Sequence, residues 1–263
     1  MKRILIVIDG SENDIDSLTS AKTFAAMTDA RLTVAYARVP HHSIMGFGDF
    51  VFAGDDSERS AQNEAHAKAA FDQVCGDLTD ARFLIYEASG ETIISALGHA
   101  YDLVLVERLS SEDGPEASNL NAALFETGRP VLLIPPAAGG GIQRIAIAWN
   151  GSKEASRAVA LALPLLETVE SAVVIAGVSD YLTVEEVNEL VDSLAWHGVN
   201  VTARTFTIAD GSVSDRLQAE ARAAGADTIL LGAYGHSRLR EMIFGGVTAG
   251  ILDRAGMPVL MAH

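Results

Sequence analysis

The chain repeats itself, and that repeat limits its fold more than any other feature. Residues 2–11 read KRILIVIDGS and residues 143–152 read QRIAIAWNGS, identical at five of ten positions at an offset of 141. Both are apolar runs that close on a turn dipeptide, Asp9-Gly10 and Asn150-Gly151. Towards the other end of each half, Gly128-Arg-Pro-Val-Leu132 matches Gly256-Met-Pro-Val-Leu260 at an offset of 128. Matching segments in the same order at both ends imply two copies of one domain, residues 1–137 and 143–263. The segment between them, Pro135-Pro-Ala-Ala-Gly-Gly-Gly141, reads as a linker, two stiff prolines and then three flexible glycines. A length of 263 residues accommodates two ordinary domains.

Each half alternates strand and helix patterns. Strands are expected at 3–8, 31–38, 82–87, 102–106 and 131–134, and again at 144–149, 171–178, 200–207, 227–231 and 258–262. Helical stretches lie between them. One runs from Ser152 to Thr168, with Pro164 predicting a kink or an early end. Another is entered by Ser212-Val-Ser-Asp215, which resembles a capping box. Strands that alternate with helices imply parallel pairing with right-handed crossovers, so each half is expected to be a doubly wound α/β sandwich.

Composition excludes several function classes. Apolar residues make up 49% of the chain, enough for two cores, while the longest apolar runs are strand-length and too short for a membrane helix. The N-terminal run Ile4–Ile8 ends in Asp9 and reads as a first strand, not a signal peptide. A single cysteine, Cys75, allows no internal disulfide framework and fits a reducing, cytoplasmic setting. A net charge of −16 speaks against a nucleic-acid partner. Any anion must therefore be held by local amides against the overall field.

The stretch suited to that task is Gly232 to Thr248, GAYGHSRLREMIFGGVT, which follows the strand pattern of Thr228–Leu231. It holds Gly232-x-x-Gly235, nine residues, and then Gly245-Gly246. Glycines at a strand end and at a helix start let backbone amides approach an anion. With strand order 3-2-1-4-5, the order reverses between the first and fourth strands. That reversal brings Trp149-Asn150-Gly151-Ser152 and Leu231-Gly232 to one crevice. A Walker-type G-x-x-x-x-G-K-[ST] loop and a G-x-G-x-x-G after a first strand are both missing. The first half reads ERLSSEDGPEASN (107–119) at the equivalent place, with Glu107, Glu112, Asp113 and Glu116 and no Gly-x-x-Gly. Those carboxylates would repel a phosphate. On their own the acids 107–116 read as a solvated loop.

The pattern G-x-x-G-x9-G-[ST], closing an α/β domain whose first strand ends in Asp-Gly-Ser, resembles the signature of the universal stress protein family, here in its tandem two-domain form. The resemblance spans both halves. It implies two Rossmann-like domains of the adenine nucleotide alpha hydrolase-like kind, each a five-stranded parallel sheet of order 3-2-1-4-5 flanked by helices. It also implies an intrachain pseudo-dimer and leaves room for a homodimer. As a function it implies a stress-response or regulatory protein that binds ATP or another adenine nucleotide, with or without Mg2+, in the C-terminal domain. By position, the phosphates fall to Gly232, Gly235, Gly245, Val247 and Thr248. Val178, Ala148 and Trp149 lie near the base, and Asn150 replaces the family's acid on the ribose side. Gly246 stands where the family has Ser or Thr, so one hydroxyl is lost and its amide remains.

Other residues keep two readings open. His236 either contacts a phosphate or is a solvated loop residue. Gly232 and Gly235 could simply end a strand, and Ser152 could cap a helix as readily as face a ligand. His41-His42 with Asp49, Asp55 and Asp56 reads as exposed loop rather than metal ligands. Phe47, Phe50 and Phe52 in the extra segment 41–57 read as packing. Cys75 reads as a helix-face residue. No nucleophile–base pair is apparent, so the chain is not expected to be an enzyme beyond slow ATP hydrolysis. A nucleotide-independent scaffold acting through the N-terminal domain is the alternative.

Overall fold

The computed structural model describes residues 1–39, 56–107, 115–135, 142–208, 212–233, 246–254 and 256–263. Residues 40–55, which include most of the extra segment 41–57, the stretch 108–114, most of the linker and residues 234–245 lie outside the described residues.

In the first half the chain runs β1 (Arg3–Ile8), α1 (Asp14–Thr28), β2 (Arg31–Ala37), α2 (Asp56–Cys75), β3 (Arg82–Tyr86), α3 (Gly90–Leu97), β4 (Leu103–Glu107), α4 (Pro115–Glu126) and β5 (Val131–Ile134). The second half repeats the order with β6 (Arg144–Trp149), α5 (Lys153–Leu166), β7 (Ser171–Val178), α6 (Val184–Trp196), β8 (Val201–Thr207), α7 (Val213–Ala223), β9 (Thr228–Gly232), α8 (Gly246–Arg254) and β10 (Val259–Ala262). The ten strands fall within a residue or so of their expected places. Two boundaries matter below: Glu107 and Gly232 are the last strand residues of β4 and β9, not loop residues.

The strands form one sheet in the order β3-β2-β1-β4-β5-β10-β9-β6-β7-β8. Each half therefore has the expected 3-2-1-4-5 order, with parallel pairing inside the half. The join is antiparallel: Leu260 faces Leu132, Val259 faces Leu133 and Met261 faces Val131. Leu132 and Leu260 are the same position of the repeat, so the two halves meet through a self-complementary contact, the geometry of a two-fold dimer built into one chain. Met27 Sδ accepts the Ile142 N–H at 3.3 Å across the halves, and the Phe125 and His263 rings meet edge-on at 4.8 Å.

Central strands of a parallel sheet are covered on both faces and so read as unbroken apolar runs. Ile4, Leu5 and Ile6 are fully buried for that reason, as are Leu103 and Val104. One face packs Leu18 and Phe24 of α1, Ala158 and Leu165 of α5, and Leu194 of α6. The other packs Leu120 of α4, Leu217 of α7 and Ile251 of α8. Helix α5 continues two residues past Pro164, so the expected kink amounts to an ending at Leu166. Ser212 caps α7 by accepting the Asp215 N–H at 3.3 Å, one arm of the expected box. The full reciprocal box is at α6: Thr183 Oγ1 accepts the Glu186 N–H at 3.2 Å, and Glu186 Oε2 accepts the Thr183 N–H at 2.8 Å. Cys75 ends α2, buried, and burial pushes its thiol up to about 11, as befits a packing residue. Asp56 belongs to α2, so that helix begins inside the segment read as loop 41–57.

Candidate functional site

β6 and β9 are neighbours, with Ala148 opposite Leu231, and from this pair the strand order runs away in both directions. The crevice beyond their C-terminal ends is therefore the place where an open sheet of this kind takes a ligand. Its walls are the β6–α5 turn and the β9 end.

The turn is built the same way in both halves. Gly151 has φ +70° and Gly10 φ +86°, a region that favours glycine. The residue before each glycine closes an Asx turn: Asn150 Oδ1 accepts the Ser152 N–H at 3.1 Å, and Asp9 Oδ1 accepts the Ser11 N–H at 3.0 Å. Ser152 Oγ then accepts the Ala155 N–H at 3.2 Å, so its capping reading holds. Asn150 is exposed at the crevice mouth.

Gly232 is needed for more than ending a strand. A Cβ there would lie 2.4 Å from the Ala155 nitrogen and 2.5 Å from the Glu154 carbonyl carbon, inside the first turn of α5. The β9 end thus sits against the helix start so closely that only glycine fits. Gly246 is the first residue of α8, Val247 is exposed and Thr248 is buried at 8% exposure. The first turn of α8 has amides with no partner inside the helix. Ala148 packs towards the face of α7 and α8, while the half-buried Trp149 side chain packs towards α5 and α6. Val178 ends β7, half-buried, one strand further out. The structure thus brings Ala148, Trp149, Asn150 and Gly232 to one crevice and sets Val178 beside it. Gly235, His236 and Gly245 lie outside the described residues.

The first-half crevice differs in kind. Glu107, which ends β4, is no solvated loop residue. It is half-buried, and its Oε1 accepts the Ser17 hydroxyl at 2.6 Å. Asp14 is 1% exposed, and its Oδ2 accepts the Gly10 N–H at 3.0 Å. Burial and then the charges of Asp9 and Glu107 push the Asp14 carboxyl up to about 7, against the Gly10 amide. Burial also raises Glu107, opposed by the Ser17 hydroxyl. Sequence reading missed Asp14 and Ser17. Aligning the halves by the offset of 141 places them on Ala155 and Ala158, and that exchange of small apolar for polar residues was the available signal.

Residues 141–263 match the sequence model of the universal stress protein family. The second half is a universal stress protein domain. A universal stress protein from Archaeoglobus fulgidus DSM 4304 is similar along the chain at 16% identity, with a TM-score of 0.68, 99% of this chain and 95% of that one covered. A functionally unknown protein from Pseudomonas aeruginosa PAO1 is similar at 16% identity and a TM-score of 0.58, covering 100% of this chain and 92% of that one. At such identities the likeness is one of fold, and it extends the tandem arrangement over the first half. No curated protein matches the chain. Among the described residues no helix is long and apolar enough to cross a membrane.

Proposed function

We propose that the crevice of the second half binds an adenine nucleotide, ATP first of all, and that this universal stress protein regulates by being occupied rather than by turning its ligand over. One juxtaposition carries the reading. The β6–α5 turn meets the β9 end where the strand order reverses, and the residues that close those two strands, Asn150 and Gly232, are uncharged. In the first half the same two positions are Asp9 and Glu107.

The residues present fit the ligand. The amides of Gly246, Val247 and Thr248 at the start of α8, with Gly235 and Gly245 of the motif, would hold the phosphates. An amide accepts or donates to a ribose hydroxyl without repelling phosphate, which suits Asn150. The main chain at Ala148 and Trp149 and the end of β7 at Val178 would flank the base. His236 would stand beside the phosphates, and any Mg2+ would arrive with them.

Titration calorimetry of the full chain with ATP, ADP and AMP tests this. Expected is one site per chain, abolished by Gly235→Val; no heat with any of the three at millimolar concentration would overturn it. ATP turnover above the Gly235→Val background would overturn the non-enzymatic part. A protein partner that survives Gly235→Val but is lost on deleting 41–57 would favour a nucleotide-independent scaffold.

A further inference from the structure

The first-half crevice has its own chemistry. β1 pairs β4 with Ile4 opposite Leu103, as β6 pairs β9 with Ile145 opposite Thr228. Glu107 and Gly232 each stand four residues beyond those aligned positions, so Glu107 occupies the site of the close-packed glycine. Asp14 and Ser17 occupy the sites of Ala155 and Ala158 on the facing helix. A tight glycine–alanine contact in one half is a carboxyl–carboxyl–hydroxyl cluster in the other.

The cluster is incompletely satisfied. Asp14 Oδ2 takes the Gly10 amide, but its Oδ1 is buried with no hydrogen-bond partner among the described residues. Among the described residues Glu107 is tied to Ser17 and to no cation. Among the described residues the charged groups that face Asp14 are mostly acids: Asp9 in the turn, Glu107 on β4, and, acting on Glu107, Glu116 of α4 and Asp16 of α1. From β2 and α2 come Tyr36, Arg38 and Glu64, and Arg38 is engaged by Glu64 and by Glu87 at 3.2 Å. Asp9, Asp14 and Glu107 do not converge as a metal cage. A buried carboxylate in such company is costly, and the simplest ligand that removes the cost is a proton.

We propose that the first-half crevice is a proton-operated site, in which Asp14 carries a proton while it pins the Asp9–Ser11 turn and releases it to solvent as pH rises, loosening that turn. The neutral acid keeps its Oδ2 for the Gly10 amide and needs no counter-charge. The ionised form repels Asp9 and Glu107, and this repulsion outweighs the stronger bond that the anion makes to the Gly10 amide, so the turn that carries Asp9 gives way. Every group involved lies in the first half, so the site stands whether or not the second half binds nucleotide.

Carbon-detected NMR titration of the side-chain carboxyls in the full chain tests it, with Asp14→Asn to assign the Asp14 signal. Expected is a midpoint near 7 for Asp14, with the Gly10 amide shifting at the same midpoint and losing hydrogen-exchange protection above it. Glu107→Gln, which keeps the hydrogen bond to Ser17 but removes the like charge, should lower the midpoint by roughly one unit. That arm also serves if Asp14→Asn does not fold. An Asp14 midpoint in the ordinary carboxylate range near 4 would overturn the proposal. So would a Gly10 transition that persists in Asp14→Asn, or a midpoint unmoved by Glu107→Gln.

Discussion

Asp14 and Gly232 show what single residues do at the two crevices. The ordinary Asp pKa of 3.8 rises to about 7 in the folded chain, so between those pH values the folded state binds the extra proton. The Asp14 contribution to stability therefore falls as pH rises from about 4 to about 7 and is level above that. Asp14→Asn should remove this slope and leave the chain more stable than the parent at pH 8, by no more than about 4 kcal/mol at 1.36 kcal/mol per unit. Urea unfolding at pH 5 and pH 8 reads the difference. A parent–variant gap that is the same at both pH values would refute it. Asp29, Asp77 and Glu186 have carboxyls held down by hydrogen bonds, and their contributions act oppositely, lost as pH falls. Only the comparison with Asp14→Asn therefore isolates Asp14. At Gly232 the neighbours of an added Cβ are backbone atoms, which cannot swing aside. Gly232→Val should cost roughly 1–3 kcal/mol in chemical denaturation as well as any ligand affinity. Loss of affinity with unchanged stability would mean that the close contact with α5 is not as described. The glycine was legible from its motif. Its packing role was not, because Ala155 lies far away in sequence.

Among elements, the strands were the most legible and the reason is local. A strand covered on both faces needs an apolar run of five to eight residues bounded by turn formers, and that signature survives without knowledge of partners. Helix starts were legible where a hydroxyl stood before the first turn, as at Ser152. The capping box at Thr183 and Glu186 was equally present in the sequence and went unread. Ser152→Ala and Thr183→Ala should each cost about 1 kcal/mol, read as a shift in denaturation midpoint. Because Glu186 Oε2 also accepts from the Thr183 hydroxyl at 3.1 Å, Thr183→Ser should restore most of the loss at α6. Failure of serine to rescue would assign the cost to the lost methyl group instead. Glu107 escapes a reading as solvated loop because it is the last residue of β4. Glu107 faces Ser17 across 90 residues of chain, and nothing local announces that contact.

For the whole molecule, the antiparallel join of β5 and β10 decides the architecture. Each half would otherwise expose a strand edge, and an open edge seeks a partner. The isolated second half, residues 142–263, is therefore expected to dimerise through β10, with light scattering reporting twice the monomer mass. A monomer at micromolar concentration would contradict this. By itself the sequence determined that there are two copies of an α/β unit, where their strands lie, and that the glycine stretch survives in only one. Those are properties of short segments, set by apolar periodicity, turn chemistry and repetition. Only the tertiary structure decided that the copies fuse into one ten-stranded sheet, that Gly232 is wedged against α5, and that a buried Asp14 meets a half-buried Glu107 at the counterpart of that wedge. Each of these depends on which surfaces meet after folding, and burial changes what a residue costs, and what it can bind, in a way its sequence neighbours do not reveal.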